Sequence, residues 1–452
     1  MRFIHKRLVF FLSIGILPIA CSPPSYAAAV PVDRFTAPNG MTVLLVERHT
    51  LPIVSAQMII RAGSVLDPEE KAGLSYLTAA LLDEGTATRS SQEIAEAIEF
   101  VGGSLSISGG QDYTSGSLRL LKKDAALGFE LLSDVLLHPT FPERELERLR
   151  AETLGDLTAE KDQPGIIADK AFDALVFGPH PYHRAVNGEE DTLPCITRAD
   201  VVRFHSDYFR PNNSILAVVG DLTRSELQDL LNRFFAGWES GPVPAPSFPT
   251  APKPDRKTVR LIDKDLTQAN IVLGHIGIER RNPDFYAVAV MNYILGGGGF
   301  SSRMVKTIRD NHGLAYSVNS HFAAQAQPGS FSVSLQTKNS SAGRAIEEAL
   351  SEIRRIRTGP VTDRELDEAI AFLVGSFPLR MDTNSKLSGL LAQVEYYGLG
   401  LDYFELYPKL IGAVTQQDIL RVAQKYLDPE RIALVVVAKQ SEAKIETDAN
   451  PD

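Results

Sequence analysis

GLSYLTAALLDEGT, residues 73–86, reads as a short helix, with Leu74, Leu77, Leu81 and Leu82 on one face and Gly85 as its stop. The positions one turn apart on it hold Tyr76, Ala79 and Ala80. None of these side chains is a usual metal ligand.

Working outward from this helix, the upstream segments Met41 to Glu47 and Ile53 to Arg61 alternate as strands, with Asn39-Gly40 as a turn before the first. Downstream, Ser91 to Val101 is amphipathic and ends at Gly102-Gly103, followed by strands Leu105 to Ser108 and Tyr113 to Leu121. Helical patterns cover Asp124 to Leu137, Glu143 to Lys161, Pro164 to Val176 and Arg198 to Tyr208. Ser214 to Val219 is an apolar run suited to a buried strand, and Ser225 to Phe235 is a closing helix. Pro242, Pro244, Pro246, Pro249, Pro252 and Pro254 then follow in close succession. Such a stretch supports neither a helix interior nor a central strand and reads as a semi-rigid tether.

Beyond the prolines the order recurs. Thr258 to Ile262 and Ala269 to Ile276 are strands, Asp284 to Leu295 is a helix, and Gly296 to Gly299 is a glycine run. Phe300 to Asn311 reads as a helix before strands Ala315 to Phe322 and Ser330 to Thr337. Helices Ala342 to Arg357, Asp363 to Phe377, Lys386 to Tyr397 and Gln416 to Tyr426 lead to a last strand, Ile432 to Val437. Thr197, Asp200, Tyr208, Pro211, Leu216, Val218 and Val219 match Thr415, Asp418, Tyr426, Pro429, Leu434, Val436 and Val437 at a constant offset of 218. Ser90, Ser91 and Gly102 match Ser301, Ser302 and Gly313 at an offset of 211. Constant offsets across different element types indicate an internal duplication.

The expected fold is therefore α+β: two homologous domains, each a mainly antiparallel sheet packed against helices. The divisions are 30–240 and 257–440, joined by the Pro-rich linker 241–256, with an acidic, disordered tail at 441–452.

The 452 residues carry 46 Lys and Arg against 56 Asp and Glu, a net charge of -10. This balance excludes a nucleic-acid binder that relies on phosphate neutralisation. Arg2, Lys6 and Arg7, the apolar run Leu8 to Ala20 and the small residues Ala27 to Ala29 form a secretory signal peptide over residues 1–29. A competing reading places lipoprotein processing before Cys21, although Pro18 matches such a signal poorly. The mature chain is expected in the periplasm, touching a membrane only if Cys21 is lipidated. Later segments lack the roughly 18 continuous apolar residues of a membrane helix. With Cys195 as the one remaining thiol, the mature chain forms no internal disulfide.

Several motifs together resemble the pitrilysin/insulinase family of zinc peptidases, in its processing-peptidase-like branch, over essentially the whole mature chain. They are Asn39-Gly40, RAGS at Arg61 to Ser64, the Gly73 helix with Gly85-Thr86, Gly102-Gly103, GPHPYHRAVNG from Gly178, ITRADVVRFHSDYFRPNN from Ile196, and GGGGFSSRMVKTIRDNHGLAYSV from Gly296 to Val318. In catalytic members the resemblance implies a His-x-x-Glu-His on the opening helix, two imidazoles for zinc and a glutamate as general base. Tyr76, Ala79 and Ala80 stand at those places, and Asp156 stands where a downstream Glu completes the site.

The resemblance also implies a second functional pair, an Arg and a Tyr from the second repeat, matched by Arg309 and Tyr316. It suggests a non-catalytic subunit of a heterodimeric zinc metalloendopeptidase acting on peptides. No cofactor is expected in this chain, and zinc is expected in a homologous partner with an intact motif. A peptide-binding or scaffold protein of the same fold is the alternative.

Other features carry blander readings. The run Gly296 to Gly299 lacks the Gly-Lys-Ser/Thr end of a phosphate loop and follows a helix, so it reads as a flexible connection or a helix stop. His180 and His183 have metal-like spacing, but the neighbouring prolines deny them a helical face. His205 and His312 read as surface or packing residues, and Asp112 and Tyr113 as turn residues without chemistry. Cys195, between Pro194 and Ile196, has no evident activating base.

Overall fold

The computed structural model describes residues 30–445. The expected signal peptide, including Cys21, and residues 446–452 of the tail lie outside the described residues.

The first half builds a six-stranded sheet from β1 (Asp33–Thr36), β2 (Thr42–Glu47), β3 (Ile53–Ile60), β4 (Ser104–Gly109), β5 (Thr114–Leu121) and β6 (Ser214–Gly220), in the order β1-β2-β6-β3-β5-β4. The second half builds β7 (Thr258–Asp263), β8 (Gln268–Ile276), β9 (Ala315–Phe322), β10 (Ser330–Lys338) and β11 (Ala433–Ala438), in the order β7-β11-β8-β10-β9. Without β1 the two orders are the same. β2 with β6, and β7 with β11, are parallel, and every other pairing is antiparallel.

The register repeats as well. Val218 lies opposite Leu45 and Ala56, and its equivalent Val436 lies opposite Leu261 and Ile271. Thr197 and Asp200 form a reciprocal capping box at the start of the helix Arg198–Tyr208, and Thr415 and Asp418 do the same for Gln416–Tyr426. The α+β fold of two sheets packed against helices stands as the sequence pattern implies.

The strands β6 and β11 are buried along their whole length, which requires cover on both sheet faces. Each half supplies the other's second cover. The helix Asn384–Tyr396, from the second half, lies on β3 and β6, where Leu387, Leu391 and Val394 pack in one core with Ile59, Ile215, Ala217 and Val219. The helix Pro164–Phe177, from the first half, lies on β8 and β11, where Ala168, Ala171, Phe172 and Val176 meet Val272, Val435 and Val437. Between the sheets, residues 241–257 form neither helix nor strand. Phe248 and Ala251 of this segment pack against that second shared core.

Several elements differ from their sequence reading. The opening helix is only Leu74–Ala80; Gly85 does not stop it but pairs with Ser90 in an isolated bridge. Polar β1 and the helix Tyr403–Gly412 were invisible, the second because it carries Pro408 in its interior. The glycine run is no simple helix stop. Tyr293–Gly297 widens into a π-turn, closed by Gly298 N–H donating to Tyr293 O at 2.8 Å. A Cβ on Gly296 would sit 2.7 Å from the Ser320 nitrogen, so glycine lets this turn press on β9. The expected helix Phe300 to Asn311 is a 3₁₀ turn, Gly299–Ser301, followed by a π-helical segment, Val305–Asn311. The tail expected to be disordered from Ser441 begins as a helical turn, Gln440–Ala443, because Ala443 is buried and Gln440 N–H donates to Asp263. Among the described residues no helix is long and apolar enough to cross a membrane.

Candidate functional site

The helix Leu74–Ala80 starts after Gly73, whose φ of 97° needs glycine. It lacks a local side-chain cap. Asp67 caps it from a distance, accepting from Gly73 N–H and Ser75 N–H, both at 2.9 Å. Burial of this carboxyl pushes it up to about 7, while those donors and Arg184 hold it down.

The helix lies on the edge strand β4 so closely that a Cβ on Gly109 would stand 3.0 Å from Tyr76 Cα and 3.4 Å from Ala79 Cβ. Tyr76 and Ala80 are half-buried and Ala79 is fully buried. Asp156 is exposed on the helix Glu143–Glu160, which packs against this one. A phenol, two methyl groups and one solvent-facing carboxylate do not fit zinc, which takes three or four Cys, His or carboxylate ligands. Among the described residues, no three His, Cys, Asp or Glu side chains converge as a metal site.

The second pair lies at the edge of the other sheet. Arg309 belongs to the π-helical segment, and its guanidinium stands 4.8 Å from the ring centre of Phe300 and 5.2 Å from that of Tyr316. Cation–π attraction to two rings narrows the rotamers of a side chain that would otherwise sample many. Phe300 and Tyr316 are 75% and 83% exposed, unusual for aromatic side chains, so this group faces outward. Ala315 pairs with Thr337 and Ser317 with Gln336, which leaves Tyr316 as the extra residue of a β-bulge. A bulge re-aims the side chain it carries, here away from the sheet and toward Arg309. Phe300 escaped the sequence reading; its place one residue after the glycine run was the available signal.

The remaining candidates separate. His205 is half-buried, bonds Leu136 O through Nε2 at 2.9 Å and is pushed down to about 4, chiefly by desolvation. His312 stays at the surface beside Glu348 and Arg344. His180 is buried against Phe177, Tyr182 and Phe248, a packing position.

Asp112 corrects its reading as an inert turn residue. It is largely enclosed, accepts from the Tyr182 hydroxyl, and accepts from Ala326 N–H at 3.0 Å, so it joins the two halves. Desolvation raises its carboxyl above the ordinary range.

The comparisons agree with the duplicated architecture. Residues 42–185 match the insulinase (peptidase family M16) model, and residues 196–373 match the peptidase M16 inactive-domain model. An uncharacterized zinc protease of Bacillus subtilis is 27% identical over 359 residues, 79% of this chain and 86% of that protein. A non-peptidase homolog of Helicobacter pylori is 26% identical over 406 residues, 89% of this chain and 93% of the homolog. The crystal structure of a peptidase M16 inactive domain from Pseudomonas fluorescens superposes with a TM-score of 0.85 at 29% identity, covering 90% of this chain and 98% of that one. With both halves matched by models of one family and the fold shared along nearly its whole length, the chain belongs to the insulinase (M16) family of peptidase-like proteins.

Proposed function

We propose that this chain is the non-catalytic, substrate-binding subunit of a heterodimeric zinc metalloendopeptidase, supplying Arg309 and Tyr316 in trans to a homologous partner. Zinc belongs to the partner, which carries the intact His-x-x-Glu-His, and the pair works on peptides in the periplasm. The observation that carries this reading is the outward-facing group Phe300, Arg309 and Tyr316, in a chain whose opening helix offers no donor set for zinc.

The roles follow from the side chains. The Arg309 fork donates to a peptide carbonyl and, held between two rings, loses little further freedom on doing so. The Tyr316 hydroxyl donates to the oxyanion that forms as that carbonyl becomes tetrahedral.

The test is a reconstituted pair. Arg309→Ala or Tyr316→Phe should lower turnover by about 10²–10³-fold, the usual cost of one oxyanion donor, with the partner's zinc retained. The isolated chain should carry far less than one zinc and cleave nothing. Unchanged turnover in the variants, or one zinc per isolated chain with peptidase activity, defeats the proposal.

A second reading, a peptide-binding or scaffold protein without proteolysis, draws support from the relative described as a non-peptidase homolog. It predicts peptide binding with no stimulation of any partner's hydrolysis.

A further inference from the structure

A cleft of about 680 Å³ opens where the first turn of the helix Asn384–Tyr396 meets the start of β3. Ser55 Oγ lies 3.1 Å from Ser385 Oγ, and Asn384 Nδ2 donates to Ile53 O at 3.3 Å, so both halves build it. Arg48 and Arg119 line it, with Leu51 and Ile53 as an apolar wall and Thr50 adding a hydroxyl.

Neither guanidinium has a carboxylate partner among the described residues. The acids nearby are already engaged. Asp382, which also lines the cleft, is held by Lys386 at 3.0 Å. Asp221 is held by His49 and Lys122, and Glu47 by His49. Two unpaired forks over an apolar wall therefore leave the cleft short of negative charge.

Its surroundings indicate what delivers that charge. Arg119 shares a face of β5 with Ser117 and Ser115, opposite the core residues Leu118 and Leu120. Those serines pair with Ser106 and Ser108 of edge strand β4 at 2.8 and 3.0 Å, extending a hydroxyl-covered, uncharged floor up to the cleft. The volume falls in the usual range of small-molecule pockets, well above what a small inorganic anion fills.

We infer that Arg48 and Arg119 form a carboxylate pocket for a bound peptide, receiving its C-terminus or an acidic side chain while the preceding residues lie along the serine floor. Guanidinium forks match carboxylates in charge and geometry, and Leu51 and Ile53 offer apolar contact to the chain beside them. This inference rests on the peptide-binding part of the proposed function and adds a substrate class to it.

The test is fluorescence anisotropy of the isolated chain with a labelled ten-residue peptide in four forms: one internal Glu with a free C-terminus, Glu replaced by Gln, the C-terminus amidated, and both changes together. The carboxylate that is used should show as a roughly tenfold loss of affinity when it alone is neutralised, about one charge-assisted hydrogen bond. Arg48→Gln and Arg119→Gln should each remove most of that preference. Both arginines are unpaired and at least partly exposed, so folding does not depend on them.

Equal affinity for all four peptides, no binding of any, or a preference that survives in the Arg48→Gln/Arg119→Gln double variant overturns the inference. Loss of preference with an intact Arg309→Ala effect in the reconstituted pair removes this pocket alone. A retained preference without that effect removes the role in trans alone.

Discussion

The Tyr182 hydroxyl donates to the Asp112 carboxylate, and each of the two groups also accepts a backbone N–H from the second half. Ala326 N–H reaches Asp112 at 3.0 Å, and Gln327 N–H reaches the Tyr182 oxygen at 3.2 Å. Gln325 adds a bond to Gln111 at 2.6 Å, so the loop between β9 and β10 is anchored on the turn between β4 and β5. This carboxylate thus adds a polar tie between the two halves to the cores they share.

Tyr182→Phe strands the Gln327 N–H and takes one donor from a desolvated carboxylate. Its expected cost is about 1–3 kcal/mol in urea unfolding, the penalty of an unsatisfied buried group. Asp112→Asn should cost a similar amount, and the double variant much less than the sum, because both remove one network. Strict additivity would show that the two residues act independently.

Asp67 gives the molecule a pH dependence with a definite sign. Its carboxyl stands at about 7 in the folded chain against an ordinary value of 3.8. Between those values the folded state holds a proton that the unfolded state has released. This group's contribution to stability is therefore complete below about pH 4 and lost as pH rises toward 7. Asp67→Asn keeps one acceptor for the opening helix and removes the titration. The stability difference between wild type and variant should change by up to about 4 kcal/mol across that window. Parallel stability curves for the two proteins would disprove the assignment.

How much of this was legible depends on the range of each interaction. Thr197-x-x-Asp200 and Thr415-x-x-Asp418 are local, so the two helix starts and the duplication could be read directly and appear as reciprocal caps. The apolar run of β6 announced a buried strand, and β11 repeats its burial. They could not announce what covers them, because the pattern of Leu387, Leu391 and Val394 demands a partner without naming it. Asp67 lies eight residues before Ser75, outside any capping signature. The bulge at Tyr316 is a property of register between β9 and β10, to which neither strand's own pattern testifies.

Phe300 extends the reading of the outward-facing pair. If its ring fixes the Arg309 guanidinium, Phe300→Ala should lower turnover in a reconstituted pair by about two- to fivefold, less than loss of the arginine itself, since an exposed cation–π contact contributes about 0.5–1 kcal/mol. Phe300→Tyr keeps a ring and should restore most of the rate. A Phe300→Ala variant as active as wild type would mean that the ring does not position Arg309.

The exchanged helices predict one unfolding unit. Leu391 is fully buried on the helix Asn384–Tyr396, yet it shares a core with Ile215, Ala217 and Val219 of the first-half sheet. Leu391→Ala should cost about 2–5 kcal/mol through lost burial and the cavity left behind. Because the lost contacts belong to both halves, the damage should not stay in the second. In urea, tryptophan fluorescence follows the first half, whose Trp238 is buried with its indole N–H donating to Phe209 O at 2.9 Å. Circular dichroism follows both halves together. The two signals should shift by the same amount in the variant and remain coincident. A fluorescence midpoint that stays in place while the circular-dichroism transition splits would show that each half unfolds alone and that the exchanged helix is a dispensable cover.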